Sequence, residues 1–189
     1  MVKQYGLVFD LRRCIGCHTC VIACKMENNL DELNSCWMKI STNGGGAADI
    51  PAGKYPELSL SWQPTTCMHC QDPPCVGACP EEAIYKRPDG IVLIDKEKCT
   101  GCELCLPVCP YDVIHFNVKG SLAEKCTLCS SRVDQGLSPF CVKECVWGAI
   151  HFGDIGDPNS DVSRLVSSRK GYVLKPEKGT QPSSYYLGP

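Results

Sequence analysis

The stretch Cys99-Thr100-Gly101-Cys102-Glu103-Leu104-Cys105-Leu106-Pro107-Val108-Cys109-Pro110 decides how this chain is read. Its spacing is C-x2-C-x2-C-x3-C-P. Three thiolates on one tight loop fit a corner of an iron–sulfur cube, while the fourth opens a short helix, points away and serves a second cluster. Cys14-Ile15-Gly16-Cys17-His18-Thr19-Cys20-Val21-Ile22-Ala23-Cys24 repeats the spacing, and Gly16 permits the turn that brings backbone amides toward sulfur. Two spaced variants complete the pattern. One is Cys67, Cys70, Cys75, Cys79 and Pro80, spaced C-x2-C-x4-C-x3-C-P, with its two extra residues in a Pro73-Pro74 turn. The other is Cys126, Cys129, Cys141 and Cys145, with an eleven-residue polar insertion before Cys141 that suits an exposed helical turn.

Of the seventeen cysteines, only Cys36 stands outside these sets, and it reads as a partly buried free thiol. Structural zinc uses two C-x2-C pairs or mixes cysteine with histidine. Three ligands crowded on one loop suit a cube corner better. A disulfide scaffold is the weaker alternative, because the sets keep metal-ligand spacing. His18 and His69 lie inside cluster loops and read as solvent-facing rather than as donors to sulfur. His115 and His151 fall in strands and read as structural. Trp147, beside Cys145, fits a water shield or simple packing equally well.

An internal repeat surrounds the sets. Val8-Phe9-Asp10 precedes Cys14 as Leu93-Ile94-Asp95 precedes Cys99. Ile84, Ile114 and Ile150 each fall five residues after the last cysteine of a set. The unit is strand, cysteine loop, short helix, strand, with a first strand over 5–9 and a helix over 21–29. Such a unit cannot bury its apolar face alone and must pair with another. Residues 31–62 carry no ligand. Their run Asn43-Gly44-Gly45-Gly46 reads as a mobile surface loop, since no Lys-Ser/Thr follows it as a phosphate-binding loop requires. From Gly153 the chain is rich in glycine, proline, serine and charge. Val162 to Lys170 suits a short amphipathic helix, and the rest looks extended, without a core of its own.

With 189 residues the chain makes one or two small domains. Aromatics form only 7%, so much of the interior is cofactor, and folding is expected to depend on metal. A net charge of −2 argues against nucleic acid. No apolar run reaches the ~18 residues that span a bilayer. No signal-peptide h-region or twin-arginine signal opens the sequence, so export would require a partner that carries one. No nucleophile–base pair, paired carboxylates or nucleotide fingerprint is present.

The order of the four sets resembles the iron–sulfur beta subunits of the DMSO reductase family of molybdopterin oxidoreductases, most of all the polysulfide, thiosulfate, tetrathionate and arsenate reductase type. Cys24-Lys25-Met26-Glu27-Asn28, Lys125-Cys126-Thr127-Leu128-Cys129, Gly153-Asp154-Ile155-Gly156-Asp157-Pro158 and Leu174-Lys175-Pro176-Glu177-Lys178-Gly179-Thr180 share in the likeness. Val146 departs from it, standing where many relatives have proline. The resemblance implies an α+β fold of two pseudo-symmetric bacterial-ferredoxin-like lobes, each a 2[4Fe-4S] unit. Residues 1–35 with 120–155 form the first lobe, 36–62 an inserted connection, 63–119 the second lobe, and 156–189 a tail packing on a partner.

It also implies four [4Fe-4S] clusters on cross-paired ligands. These are Cys14, Cys17, Cys20 and Cys145; Cys126, Cys129, Cys141 and Cys24; Cys67, Cys70, Cys75 and Cys109; and Cys99, Cys102, Cys105 and Cys79. The first lies nearest the pterin of a large Mo or W catalytic subunit. The implied function is non-catalytic electron transfer between that subunit and an external donor or acceptor, either a membrane-anchored quinone-reactive subunit or a soluble protein. The chain itself does not insert in the membrane, and the complex is cytoplasmic or co-exported. The rival reading is a polyferredoxin serving a hydrogenase or a CO- or formate-oxidising complex.

Overall fold

A computed structural model describes residues 3–30, 36–45 and 49–188. Gly46 of the glycine run and the boundary expected at residue 35 lie outside them. Strand β1 spans Tyr5–Asp10 and helix α1 Thr19–Asn28. Strands β2 (Lys39–Thr42), β3 (Ala52–Lys54), β4 (Glu57–Ser59) and β5 (Trp62–Thr65) follow. Then come α2 (Pro74–Gly77), β6 (Ile84–Lys86), β7 (Val92–Ile94), α3 (Cys105–Val108), β8 (His115–Asn117) and β9 (Leu122–Glu124). The chain continues through α4 (Ser130–Val133), α5 (Phe140–Lys143), β10 (Ile150–Asp154), α6 (Asp161–Ser168) and β11 (Ser184–Leu187). Short strands and helices of this kind make the class α+β.

The strand pairings follow one rule. Each cysteine set is entered by a strand that pairs antiparallel with the strand leaving the set before it. Thus β5 pairs with β2, β7 with β6, and β9 with β8. The series closes on itself: β1, which enters the first set, pairs with β10, which leaves the fourth, from Tyr5↔Asp154 to Phe9↔Ile150. The repeated Asp makes the same bonds in both strong sets. Asp10 N–H donates to the Ala149 carbonyl at 2.7 Å and Asp95 N–H to that of Ala83 at 2.7 Å. The side chain of Asp10 then accepts from Arg12 N–H at 3.2 Å, and that of Asp95 from Glu97 N–H at 3.0 Å. These Asx turns aim the chain into the cysteine loop.

Helix α1 starts two residues before the expected position and ends at Asn29, whose left-handed conformation caps it. Helix α6 is capped by the Ser160 hydroxyl, which accepts from Ser163 N–H at 3.2 Å.

One expectation is corrected. The tail does not stand away from the body. Strand β11 lies parallel beside β1, from Leu7↔Ser184 to Asp10↔Leu187, and makes β1 the centre of a three-stranded sheet. Tyr186 is fully buried, stacks on Phe9 with ring centroids 5.2 Å apart, and donates its hydroxyl to the Pro64 carbonyl at 2.9 Å. Residues that looked coreless from composition borrow a core made by the other end of the chain. Within 36–62, Trp37, Met38 and Ile40 are buried in the main core, and Asn43 is tied to Ser59 Oγ at 2.9 Å and to Ser61 N–H at 3.0 Å.

Candidate iron–sulfur sites

Each cysteine loop turns at the second residue after its first cysteine. Gly16 and Gly101 take φ values of 67° and 72° there, and His69 and Leu128 take the same left-handed turn at 42° and 55°. The turn reverses the amide so that it faces the preceding sulfur. Leu128 N–H donates to Cys126 Sγ at 3.3 Å, and the amides of Gly16 and His69 favour the thiolates of Cys14 and Cys67. Further donors reach other sulfurs: Ala149 N–H to Cys145 at 3.2 Å and the Asn28 amide to Cys24 at 3.7 Å.

The thiols gather around four cavities. Cys14, Cys17, Cys20 and Cys145 line one of about 340 Å³, together with Ile15, His18, Ile40 and Trp147. Cys24, Cys126, Cys129 and Cys141 line a second of about 320 Å³ with Met38 and Thr66. Cys79, Cys99, Cys102 and Cys105 line a third of about 320 Å³. Cys67, Cys70, Cys75 and Cys109 line a fourth of about 340 Å³ with Val92 and Lys125. The sixteen cysteines are thus brought together as four quartets, each taking its last member from another set. Cys36 is half-buried and belongs to none of them.

Among the described residues no three Cys, His, Asp or Glu side chains converge as a single metal ion would need. The quartets surround volumes instead of a point, which suits a polynuclear group. Apolar walls, inward thiols and inward amides are the surroundings an iron–sulfur cube requires.

Burial pushes most of these thiols up. Cys20, Cys70 and Cys75 rise to about 12 and Cys105 to about 11, with desolvation as the leading cause. Cys24 and Cys141 move in the same direction, their neighbouring thiols adding to burial. Cys17 moves down, because the Thr19 hydroxyl, 3.4 Å from its sulfur, and the Thr19 amide favour its thiolate. Such a quartet becomes thiolate only where positive charge is placed among its sulfurs, as bound iron does.

A family model, the 4Fe-4S dicluster domain, matches residues 58–155. The chain is 44% identical to the iron–sulfur component assigned to a dimethyl sulfoxide reductase in Halobacterium salinarum, over 98% of this chain and 79% of that protein. It is 40% identical to the B component of sulfite dehydrogenase from Allochromatium vinosum, over 98% of this chain and 83% of that one. With the B component of polysulfide reductase from Wolinella succinogenes it shares 33% identity over 99% and 95% of the two proteins.

This protein belongs to the iron–sulfur beta subunits of the DMSO reductase family. It is therefore a [4Fe-4S] electron-transfer subunit. The family's small helix-and-strand architecture is the one described above, and no helix among the described residues is long and apolar enough to cross a membrane.

Several residues around the quartets escape sequence reasoning. His69 is not solvent-facing: it is fully buried, and its Nδ1 accepts the Val92 amide at 3.0 Å. Thr180, from the tail, favours the thiolate of Cys70 and shares a 2.6 Å bond with the Tyr111 hydroxyl. Tyr111 sits two residues past Cys109, but nothing in the spacing ties residue 180 to the second set. Lys125 was visible as part of a motif, yet its complete burial was not.

Proposed function

We propose that this subunit holds four [4Fe-4S] clusters, one in each thiol quartet, and relays electrons between a large molybdopterin subunit and a separate donor or acceptor without catalysing a reaction itself. The observation that carries this reading is the gathering of sixteen cysteines into four quartets, each lining its own cavity. The proposed ligand sets are Cys14, Cys17, Cys20 and Cys145; Cys24, Cys126, Cys129 and Cys141; Cys67, Cys70, Cys75 and Cys109; and Cys79, Cys99, Cys102 and Cys105. A bound cluster supplies one-electron redox chemistry. The chain's own part is to exclude water with Met38, Ile40, Ile84 and Ile114, to direct amides at sulfur, and to fix the spacing of the quartets.

On this reading the body is two ferredoxin-like lobes, one from the first and fourth sets and one from the second and third, a division supported by the exchange of last cysteines within each of those pairs. The partner subunit meets the chain at the quartet of Cys14. Ile15 and Trp147 line that cavity while remaining half-exposed, and Val146 beside them is largely exposed, an apolar edge that a monomer has little reason to keep. Relatives named as reductases and as a dehydrogenase support carriage of electrons in either direction.

Anaerobic affinity purification of the full chain from its host tests the reading. The expected result is about sixteen iron atoms per chain, with matching labile sulfide, and a large subunit carrying molybdenum or tungsten. Iron near twelve would remove one cluster from the proposal. A nickel-containing partner would replace it with a polyferredoxin role.

A further inference from the structure

Where the two proposed lobes meet lies a cation that electron transfer as described above leaves unused. Lys125 is 3% exposed. Its ammonium donates to the Val92 carbonyl across the joint and to the Cys126 carbonyl at 3.3 Å. Val92 is itself buried and hands its amide to His69, so one strand residue anchors both the lysine and the histidine of the second set. Lys125 lines the cavity of Cys67, Cys70, Cys75 and Cys109 and stands one residue from Cys126 of the neighbouring quartet. Among the described residues no carboxylate pairs with it. The adjacent Glu124 is engaged by Lys96 at 3.3 Å.

A buried ammonium without a counter-charge is costly, because two carbonyl oxygens replace only part of its hydration. Four thiolates around a cube leave a net negative group in the cavity beside it, and one-electron reduction adds a further negative charge there. A fixed cation in a low-dielectric interior favours the reduced state of its nearest neighbour far more than that of distant groups. Its field favours the thiolate forms of Cys67, Cys75 and Cys126 against the burial that raises all three.

We propose that Lys125 is a built-in electrostatic bias at the joint between the lobes, raising the reduction potential of the group held by Cys67, Cys70, Cys75 and Cys109 above the value its ligands alone would set. This rests on the ligand sets proposed above. The lysine acts through its charge at the wall of that cavity and is a positioning residue, so its test is a potential.

The experiment is an EPR-monitored redox titration of the anaerobically purified full chain, with iron counted in every sample, for the wild type, Lys125→Gln, Lys125→Met and Lys125→Arg. In the neutral variants one reduction step is expected to move to lower potential by at least tenfold in its equilibrium constant, about 59 mV for a one-electron couple. The other steps stay in place, and Lys125→Arg restores most of the shift. Unchanged steps at full iron content in either neutral variant overturn the proposal. So does loss of iron from both neutral variants with full loading of Lys125→Arg, since the charge would then serve assembly alone. Wild-type protein that lacks four-cluster iron defeats the ligand assignment, a different failure from either of these.

Discussion

Gly101 must turn left-handed to aim its amide, and a Cβ built on it would sit 2.4 Å from the Ser121 carbonyl oxygen, a backbone atom that cannot swing away. Gly101→Ala therefore strains the loop by about 1–3 kcal/mol and is expected to lower both iron content and thermal midpoint, measured by iron assay and circular dichroism. His69 makes the same turn with a side chain, showing that the loop requires the turn and not glycine itself. The raised thiols give a second outcome. Their folded values lie above the ordinary 9.0, so the protonated form is the stable one in the metal-free fold below about 9. Iron loading must displace those protons. Reconstitution with ferrous iron and sulfide in weakly buffered solution is expected to release about one proton per ligating thiol in addition to those the sulfide gives up, and loading is expected to weaken as pH falls; a pH-stat titration that finds no release beyond the sulfide's own would contradict the quartets. Cysteine spacing made all sixteen thiols legible, because ligand geometry is local. Burial of His69 and Lys125 was illegible, because it depends on strands brought from elsewhere in the chain.

Among the elements, β11 and α6 tie the tail to the body through two bonds that can be cut singly. Arg169, at the C-terminal end of α6, pairs with Asp10 through both of its terminal nitrogens, and the Asp10 side chain is only 5% exposed. Arg169→Met leaves that carboxylate buried with only the Arg12 amide, and because Arg169 is itself partly exposed the loss falls below the roughly 3–5 kcal/mol of a fully buried pair. Chemical denaturation of the holoprotein is expected to show it. Tyr186→Ala empties the space against Phe9 and is expected to cost roughly 3–5 kcal/mol, whereas Tyr186→Phe loses only the bond to Pro64. The first strand and the helix after Cys20 were readable from the repeat around the cysteine sets. The strand Ser184-Tyr185-Tyr186-Leu187 was not, because it is short, half polar and paired with a strand at the opposite end of the sequence.

At the scale of the molecule, the edge near the Cys14 quartet should govern assembly. Trp147→Glu is expected to keep full iron content and lose most of the co-purifying large subunit, while Tyr85→Glu, exposed on β6, leaves co-purification intact. Equal retention in both variants would place the partner elsewhere. The bidentate pair of Arg87 with Asp134 joins the β6–β7 hairpin to the insertion of the fourth set. That insertion, which the sequence presents as a polar excursion, thus helps hold the halves of the body together. Composition could announce a metal-filled interior but not the closed order of strand pairs, which is a property of the whole chain.

That closed order has a consequence in time. During synthesis β1 leaves the ribosome first and has no neighbour on either side until strands at 150–154 and 184–187 follow. Throughout that interval it presents an apolar ribbon with two open edges, the form most prone to wrong pairing. On the proposed ligand sets, Cys67 to Cys109 can be supplied with iron while the rest is still being made, whereas Cys14 must wait for Cys145. The nascent chain should therefore be metallated from its middle outward, and the site expected to face the catalytic subunit should be among the last to mature.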